Sequence, residues 1–238
     1  MNLAEDTNFM PQQSLSKFDF NRVANSYDSW YDSARGAIYD RLEKQAIDNL
    51  LAGIVKHSRL LEVGCGTGHW SRYFSDKGFD VTGVDISAEM TKIATQKHIP
   101  KSRFEIADGR NLPFEDESFD AAAAITVLEF ATEPEKIISE MVRCVKKRKG
   151  TLIVGVLNAL SGYNQRRKNK PGSVYSSANL FSPQQIRDLL SQYGLPRMRI
   201  TGFAPEKEWL LKISPPWEYL GQLLCSQKGA FIAARVDI

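Results

Sequence analysis

The sequence predicts a doubly wound α/β fold, a mostly parallel sheet with helices on both faces. Three observations predict it. Between Leu60 and Leu157, short apolar runs alternate with segments of helical period, the order that lays parallel strands beside covering helices. The first apolar run ends in the bend "GCGTG", which opens directly into a helical pattern. The second and third runs end in acids, Asp85 and Asp108, so polar groups collect at the carboxyl ends of the strands.

Taken in order, residues 1–17 read as a loose arm rich in Gln, Ser and Asn. Residues 18–238 read as one domain that begins with a helical cap, 18–56. There Ala24, Tyr27, Trp30 and Tyr31 share one helical face, and Ile38, Leu42, Ala46, Ile47 and Leu50 recur at three and four. Gly36 is expected to separate two helices. The core, 57–157, starts with the strand "RLLEVG" and the helix "HWSRYFSDKG", stopped by Gly78. "DVTGVD" is a second strand, followed by a helix capped by Ser87 and running through Lys97. "RFEIAD" and "FDAAAAIT" are the third and fourth strands. "EPEKIISEMVRCVKKRKG" reads as a helix with acids at its start and bases at its end, and "TLIVGVL" as the fifth strand.

Beyond Leu157 the alternation loosens. Residues 158–181 form a long polar stretch read as a lid loop, with the basic run "NQRRKNK" inside it. "SPQQIRDLLSQYG" is a helix with Ser182 at the N-cap and Pro183 in the first turn. "RMRITGF" and "GAFIAARV" are the remaining strands, separated by an insertion, 204–228, too long for a hairpin. That gives about seven strands.

Composition narrows the function classes. The chain has 238 residues, 42% hydrophobic and 25% charged, with a net charge of +3, too small a surplus to indicate nucleic acid. Three widely spaced cysteines form neither a disulfide framework nor a zinc pattern, which favours a reducing compartment. The polar N-terminus does not read as a signal peptide, and no apolar run reaches membrane-spanning length. A cytoplasmic protein without a metal is the expectation; its oligomeric state is left open.

The glycine bend carries the chemistry. By itself such a bend is equally a plain strand-to-helix turn. Its spacing, however, is G-x-G-x-G rather than the G-x-G-x-x-G of dinucleotide folds. Glu62 precedes it, an awkward neighbour for a phosphate but a suitable one for an ammonium group. Asp85 follows after about twenty residues, where a carboxylate can accept from ribose hydroxyls.

"LLEVGCGTGHWSRYF", "VTGVDIS", "FEIADGRNLPFEDESFD", "ITVLEF" and "VKKRKGTLIVGVL" resemble, in order and spacing, the successive motifs of class I S-adenosylmethionine-dependent methyltransferases. The closest flavour is the type 11 group, which includes enzymes of ubiquinone and menaquinone synthesis. The resemblance implies a Rossmann-like, three-layer sheet whose last strand is antiparallel. It also implies S-adenosyl-L-methionine as methyl donor, with S-adenosyl-L-homocysteine as product. Glu62 with Gly64, Cys65 and Gly66 would hold the methionine portion, Asp85 the ribose, and Ile86 the adenine face. Asp108 and Gly109 would meet the adenine edge, and the Thr126 carbonyl the ammonium. Tyr27 belongs to a segment similar to the N-terminal helix that closes over the cofactor in related enzymes.

Little bond-making chemistry is needed beyond in-line positioning and exclusion of water. If a base is used, Glu129 and His69 are the candidates, and Trp30, Tyr31 and Trp217 are candidates for the acceptor site. "TVLEFATEP" lacks the N/D-P-P-Y/F stretch of amino-methylating enzymes, so carbon or oxygen of a small apolar molecule is the expected acceptor. The alternatives are an NAD(P)-dependent oxidoreductase, which shares the bend and Asp85, and a protein that binds S-adenosylmethionine without catalysis.

Overall fold

The computed structural model describes residues 16–54, 57–205 and 208–238. Most of the expected N-terminal arm lies outside the described residues. Ser16 and Lys17 are already tied to the body, with Ser16 bridged to Ala131 and the Lys17 amide donating to the Phe130 carbonyl.

Three helices form the cap, α1 (Ala24–Tyr27), α2 (Ser29–Asp32) and α3 (Ala34–Leu51). The break expected at Gly36 falls instead at Ser33, whose hydroxyl caps α3 by accepting from the Gly36 amide. Gly36 is needed for a different reason: a Cβ there would lie 1.8 Å from the Trp30 carbonyl oxygen. The core then alternates as β1 (Arg59–Val63), α4 (His69–Asp76), β2 (Asp80–Asp85), α5 (Ala88–Gln96), β3 (Ser102–Ile106), β4 (Ala121–Ile125), α6 (Pro134–Cys144) and β5 (Thr151–Leu157). α6 stops at Cys144, so the basic run after it is not helical. The expected lid loop contains α7 (Gly162–Lys168). After α8 (Pro183–Ser191) come β6 (Arg197–Thr201), α9 (Ser214–Leu224) within the insertion, and β7 (Phe231–Asp237).

All seven strands join one sheet in the order β3-β2-β1-β4-β5-β7-β6, with β7 antiparallel to both neighbours and the other pairings parallel. Alternate side chains serve opposite faces, as the strand period of two requires. Leu61, Val63, Ala122, Ala124 and Val154 pack with Ile138 and Met141 of α6 and Ile186 of α8. Leu60, Val81, Ala121, Ala123 and Ile153 pack with Ile47 and Leu50 of α3 and Trp70 and Phe74 of α4. The central strand β4 is alanine at four positions, all fully buried. None of the described helices is long and apolar enough to cross a membrane.

One buried cation fixes the cap on the sheet. Arg235 of β7 donates from Nη1 to the carbonyls of Leu50 (2.6 Å) and Ala52 (2.9 Å), closing the carboxyl end of α3, while its Nε meets Asp237 at 2.7 Å. Replacing Arg235 by Ala leaves those carbonyls unpaired. It is expected to cost about 1.5–3 kcal/mol in urea denaturation, with an unchanged transition midpoint counting against this role.

Candidate functional site

The chain places β2 and β3 on one side of β1 and then crosses to place β4 on the other. A crevice therefore opens at the carboxyl ends of β1 and β4. The loops after β1, β2, β3 and β4 meet there around a cavity of about 100 Å³, partly open to solvent. Gly64, Gly66, Asp85, Ile86, Asp108, Gly109, Thr126 and Tyr27 all line it, as expected from their positions in the sequence.

The local geometry explains the residue types. Gly64, Gly66 and Gly68 all have positive φ, which glycine adopts without strain. A Cβ on Gly64 would approach Val127 Cγ2 to 2.2 Å, whereas one on Gly66 would enter open space. The bare backbone at Gly66 is thus open to a close ligand. Asp85 ties the bend to the second strand, accepting from the Gly66 amide and the Ser87 amide, each at 2.8 Å. Burial pushes its carboxyl above the usual range, against the pull of those amide donors.

Thr126 adopts φ +54°, a strained conformation for a β-branched residue, while its amide donates to the Gly155 carbonyl at 2.7 Å. Asp108 is gripped by its neighbour: Arg110 Nε lies 3.1 Å from both carboxylate oxygens and Nη2 lies 2.8 Å from Oδ2. Burial raises that carboxyl, but the Arg110 hydrogen bonds outweigh it and hold the group below its usual range.

Two residues expected to hold the methionine portion, Cys65 through its backbone, turn their side chains away from the cavity. Glu62 is 2% exposed and does not line the cavity; its side chain shares the strand face of Leu60, beneath α4, and accepts from the Ser71 hydroxyl at 2.5 Å. Burial raises it to about 8. Cys65 is likewise buried behind the bend and does not line the cavity.

A second cavity adjoins the first, and Phe20, Tyr27, Thr126 and Phe130 line both. Trp30 and Tyr31 line the second, together with Tyr39, Glu43, Leu157, Asn164, Arg167 and Tyr175. Burial raises Tyr27, Tyr31, Tyr39 and Tyr175, keeping each a neutral phenol. The Arg167 guanidinium stacks 3.5 Å above the Tyr175 ring and lies 5.0 Å from the ring centres of Trp30 and Tyr163.

The base candidates separate. Glu129 is fully buried beside this cavity: Oε1 accepts from the Leu157 amide, Oε2 has no partner among the described residues, and burial raises the group to about 7. His69 reaches neither cavity. Its Nε2 lies 2.7 Å from Asp40 Oδ1 and 3.1 Å from Lys44 Nζ, and its ring stacks on Tyr31 at 3.5 Å, so it clamps the cap to α4. Trp217 is 45% exposed on α9 and lines neither cavity, because Glu218 turns that helix outward by accepting from Thr201, Gly202 and Phe203.

Sequence reasoning missed Glu43, Tyr39, Asn164 and Tyr175. For Glu43 a signal existed: it interrupts the buried face formed by Tyr39, Leu42, Ala46 and Ile47. Among the described residues, no group of three or more His, Cys, Asp or Glu could hold a metal ion.

Residues 61–154 match a family model described as a methyltransferase domain. An uncharacterized protein of Methanocaldococcus jannaschii is 38% identical over 76% of this chain and 83% of its own length. The demethylmenaquinone methyltransferase of Renibacterium salmoninarum is 36% identical over 57% of this chain and 55% of its own. A crystal structure from Thermotoga maritima, described as a possible histamine N-methyltransferase, superposes with a TM-score of 0.70 at 28% identity, covering 92% of this chain and 97% of that one. The chain is a class I S-adenosylmethionine-dependent methyltransferase of the type 11 group.

This methyltransferase has three carboxylates raised by desolvation: the buried Glu129 to about 7 and Glu62 to about 8, and the half-buried Glu43 to about 8. A group whose proton affinity rises on folding stabilises the native state below its unfolded pKa. That contribution is lost as pH climbs through the folded value. The unliganded protein is therefore expected to melt at lower temperature as pH rises from 5 to 8.5 (about the span of these titrations). Glu129→Gln should flatten the fall in a calorimetric series, and a wild-type melting temperature that rises across the range would contradict the assignment.

Proposed function

We propose that the rim cavity binds S-adenosylmethionine and the second cavity binds the small molecule that receives its methyl group. The observation that carries this reading is the contact between the two cavities at Phe20, Tyr27, Thr126 and Phe130. A donor lying along the strand ends has its reactive end directed at that shared wall.

The rim fits the donor group by group. Gly66 offers its bare backbone to the methionine portion, and Asp85 can accept from ribose hydroxyls with the lone pairs its amide donors leave free. Ile86, Ala107 and Ile137 supply apolar faces for the base, beside Asp108 and Gly109. Thr126, by its strained backbone, would turn its carbonyl toward an ammonium. Glu62 acts from behind the bend, keeping the first turn of α4 in place through Ser71.

The donor's sulfonium supplies an activated methyl group and leaves as a thioether. What the protein adds is alignment of the acceptor with the S–CH₃ bond and exclusion of water, effects worth about 7–11 kcal/mol of the barrier. The aromatic walls from Tyr27, Trp30 and Tyr31 suit both tasks.

The named relatives differ in acceptor, one being named for demethylmenaquinone and the other described as a possible histamine N-methyltransferase. The acceptor is therefore argued from the cavity. S-adenosylhomocysteine should raise the melting temperature by several degrees where NAD does not, and Asp85→Ala should weaken its affinity about tenfold or more, the worth of a charged hydrogen bond. Stabilisation by NAD alone would overturn the reading in favour of an oxidoreductase.

A further inference from the structure

We propose that the acceptor is a compact primary or secondary amine, which enters the second cavity as an ammonium ion, gives a proton to Glu43 and is methylated on nitrogen. The inference rests on reading the second cavity as the acceptor site.

The first observation is what the surrounding groups lack. Among the described residues, two buried side-chain polar atoms have no hydrogen-bond partner, Glu129 Oε2 and Asn164 Oδ1. Both are acceptors. The Asn164 orientation is fixed by its amide nitrogen, which donates to the carbonyls of Asn158 (3.0 Å) and Ala230 (2.7 Å), so the oxygen is the atom left over. Asn164 lines the cavity, and Glu129 stands against its Leu157 wall. Unpaired buried acceptors are costly; both atoms are sealed behind the wall, so they give this side of the cavity an acceptor character without themselves touching a ligand.

Glu43 is the second observation. Its carboxylate lines the cavity and makes no hydrogen bond or ion pair among the described residues. It stands among Tyr27, Tyr31, Tyr39, Tyr163 and Tyr175, raising the proton affinity of each. Burial, reinforced by Asp40, raises its own to about 8, which makes it a stronger base than an exposed glutamate.

Charge and surface agree. Around Glu43 the acids Asp40 and Glu129 stand with the cations Arg167 and Lys44, so with Glu43 itself the acidic groups outnumber the basic ones by one. The aromatic walls already hold one cation, since Arg167 stacks on Tyr175, Trp30 and Tyr163. A carboxylic acid acceptor would meet two carboxylates, and an alcohol would neutralise neither. The sequence expectation of carbon or oxygen rested on a missing motif; the chemistry of the cavity favours nitrogen.

The step balances. The ammonium gives one proton to the Glu43 carboxylate, freeing the nitrogen lone pair. That pair forms the N–CH₃ bond while the S–CH₃ electrons go to sulfur, giving a methylated ammonium and neutral S-adenosylhomocysteine. Glu43 then releases its proton to water.

The test uses the full chain with saturating S-adenosylhomocysteine and three probe sets: butylamine, phenethylamine and tryptamine, each beside its matching alcohol and carboxylic acid. At least one amine should bind by calorimetry, more tightly than its alcohol and acid. With S-adenosylmethionine that amine should gain one methyl on nitrogen by mass spectrometry. Glu43→Gln should weaken amine binding by about tenfold or more while S-adenosylhomocysteine affinity stays unchanged. Preference for an alcohol or acid, no response to any amine, or undiminished amine binding by Glu43→Gln overturns the proposal. If S-adenosylhomocysteine itself fails to bind, the methyl-donor reading of the rim falls instead.

Discussion

The reversal of strand order beside β1 is the constraint on which the rest of the structure depends. A parallel sheet brings the carboxyl ends of its strands to one edge, and the crossover from β3 to β4 leaves a gap there that no connection fills. Four loops then converge without long-range design. Asp85 makes the gap rigid, since one carboxylate holds the amides of Gly66 and Ser87 and so joins the bend after β1 to the turn after β2. Burying that carboxylate is unfavourable, and its two short amide bonds offset the cost.

The cap converts an open rim into two rooms. α3 is fixed at its far end by Arg235, and His69 and Tyr31 clamp α2 and α3 to the start of α4. Glu43 is thereby placed over the sheet, opposite Thr126 and Leu157, in a space walled by aromatic rings. Phe20 and Tyr27 line both cavities where they adjoin. Residues of the cap thus wall both cavities at once.

The sequence made the rim legible and the second cavity nearly invisible, for a physical reason. Gly64, Gly66, Asp85, Ile86, Asp108, Gly109 and Thr126 sit at strand ends, and local order alone brings them together once the sheet is parallel. The Glu62 side chain takes the Leu60 face beneath α4, since residues two apart in a strand share a face, and the Cys65 thiol is buried behind the bend. Tyr39, Glu43, Asn164, Arg167 and Tyr175 come from α3, α7 and the turn after it, segments whose meeting depends on tertiary packing. Trp217 looked like a pocket wall by composition, but the bonds from Glu218 send its helix to the outside. An acid within an apolar helical face, as at Glu43, is the pattern that would have marked the second cavity.

The central claim, that the rim holds the methyl donor with its reactive end facing the second cavity, is tested most directly by a crystal structure with S-adenosylhomocysteine. The account predicts the amino-acid portion along Gly64 and Gly66, the ribose hydroxyls on Asp85, and the sulfur directed between Tyr27 and Thr126. A ligand with its sulfur turned away from Tyr27 and Thr126, or bound outside the rim, would contradict it.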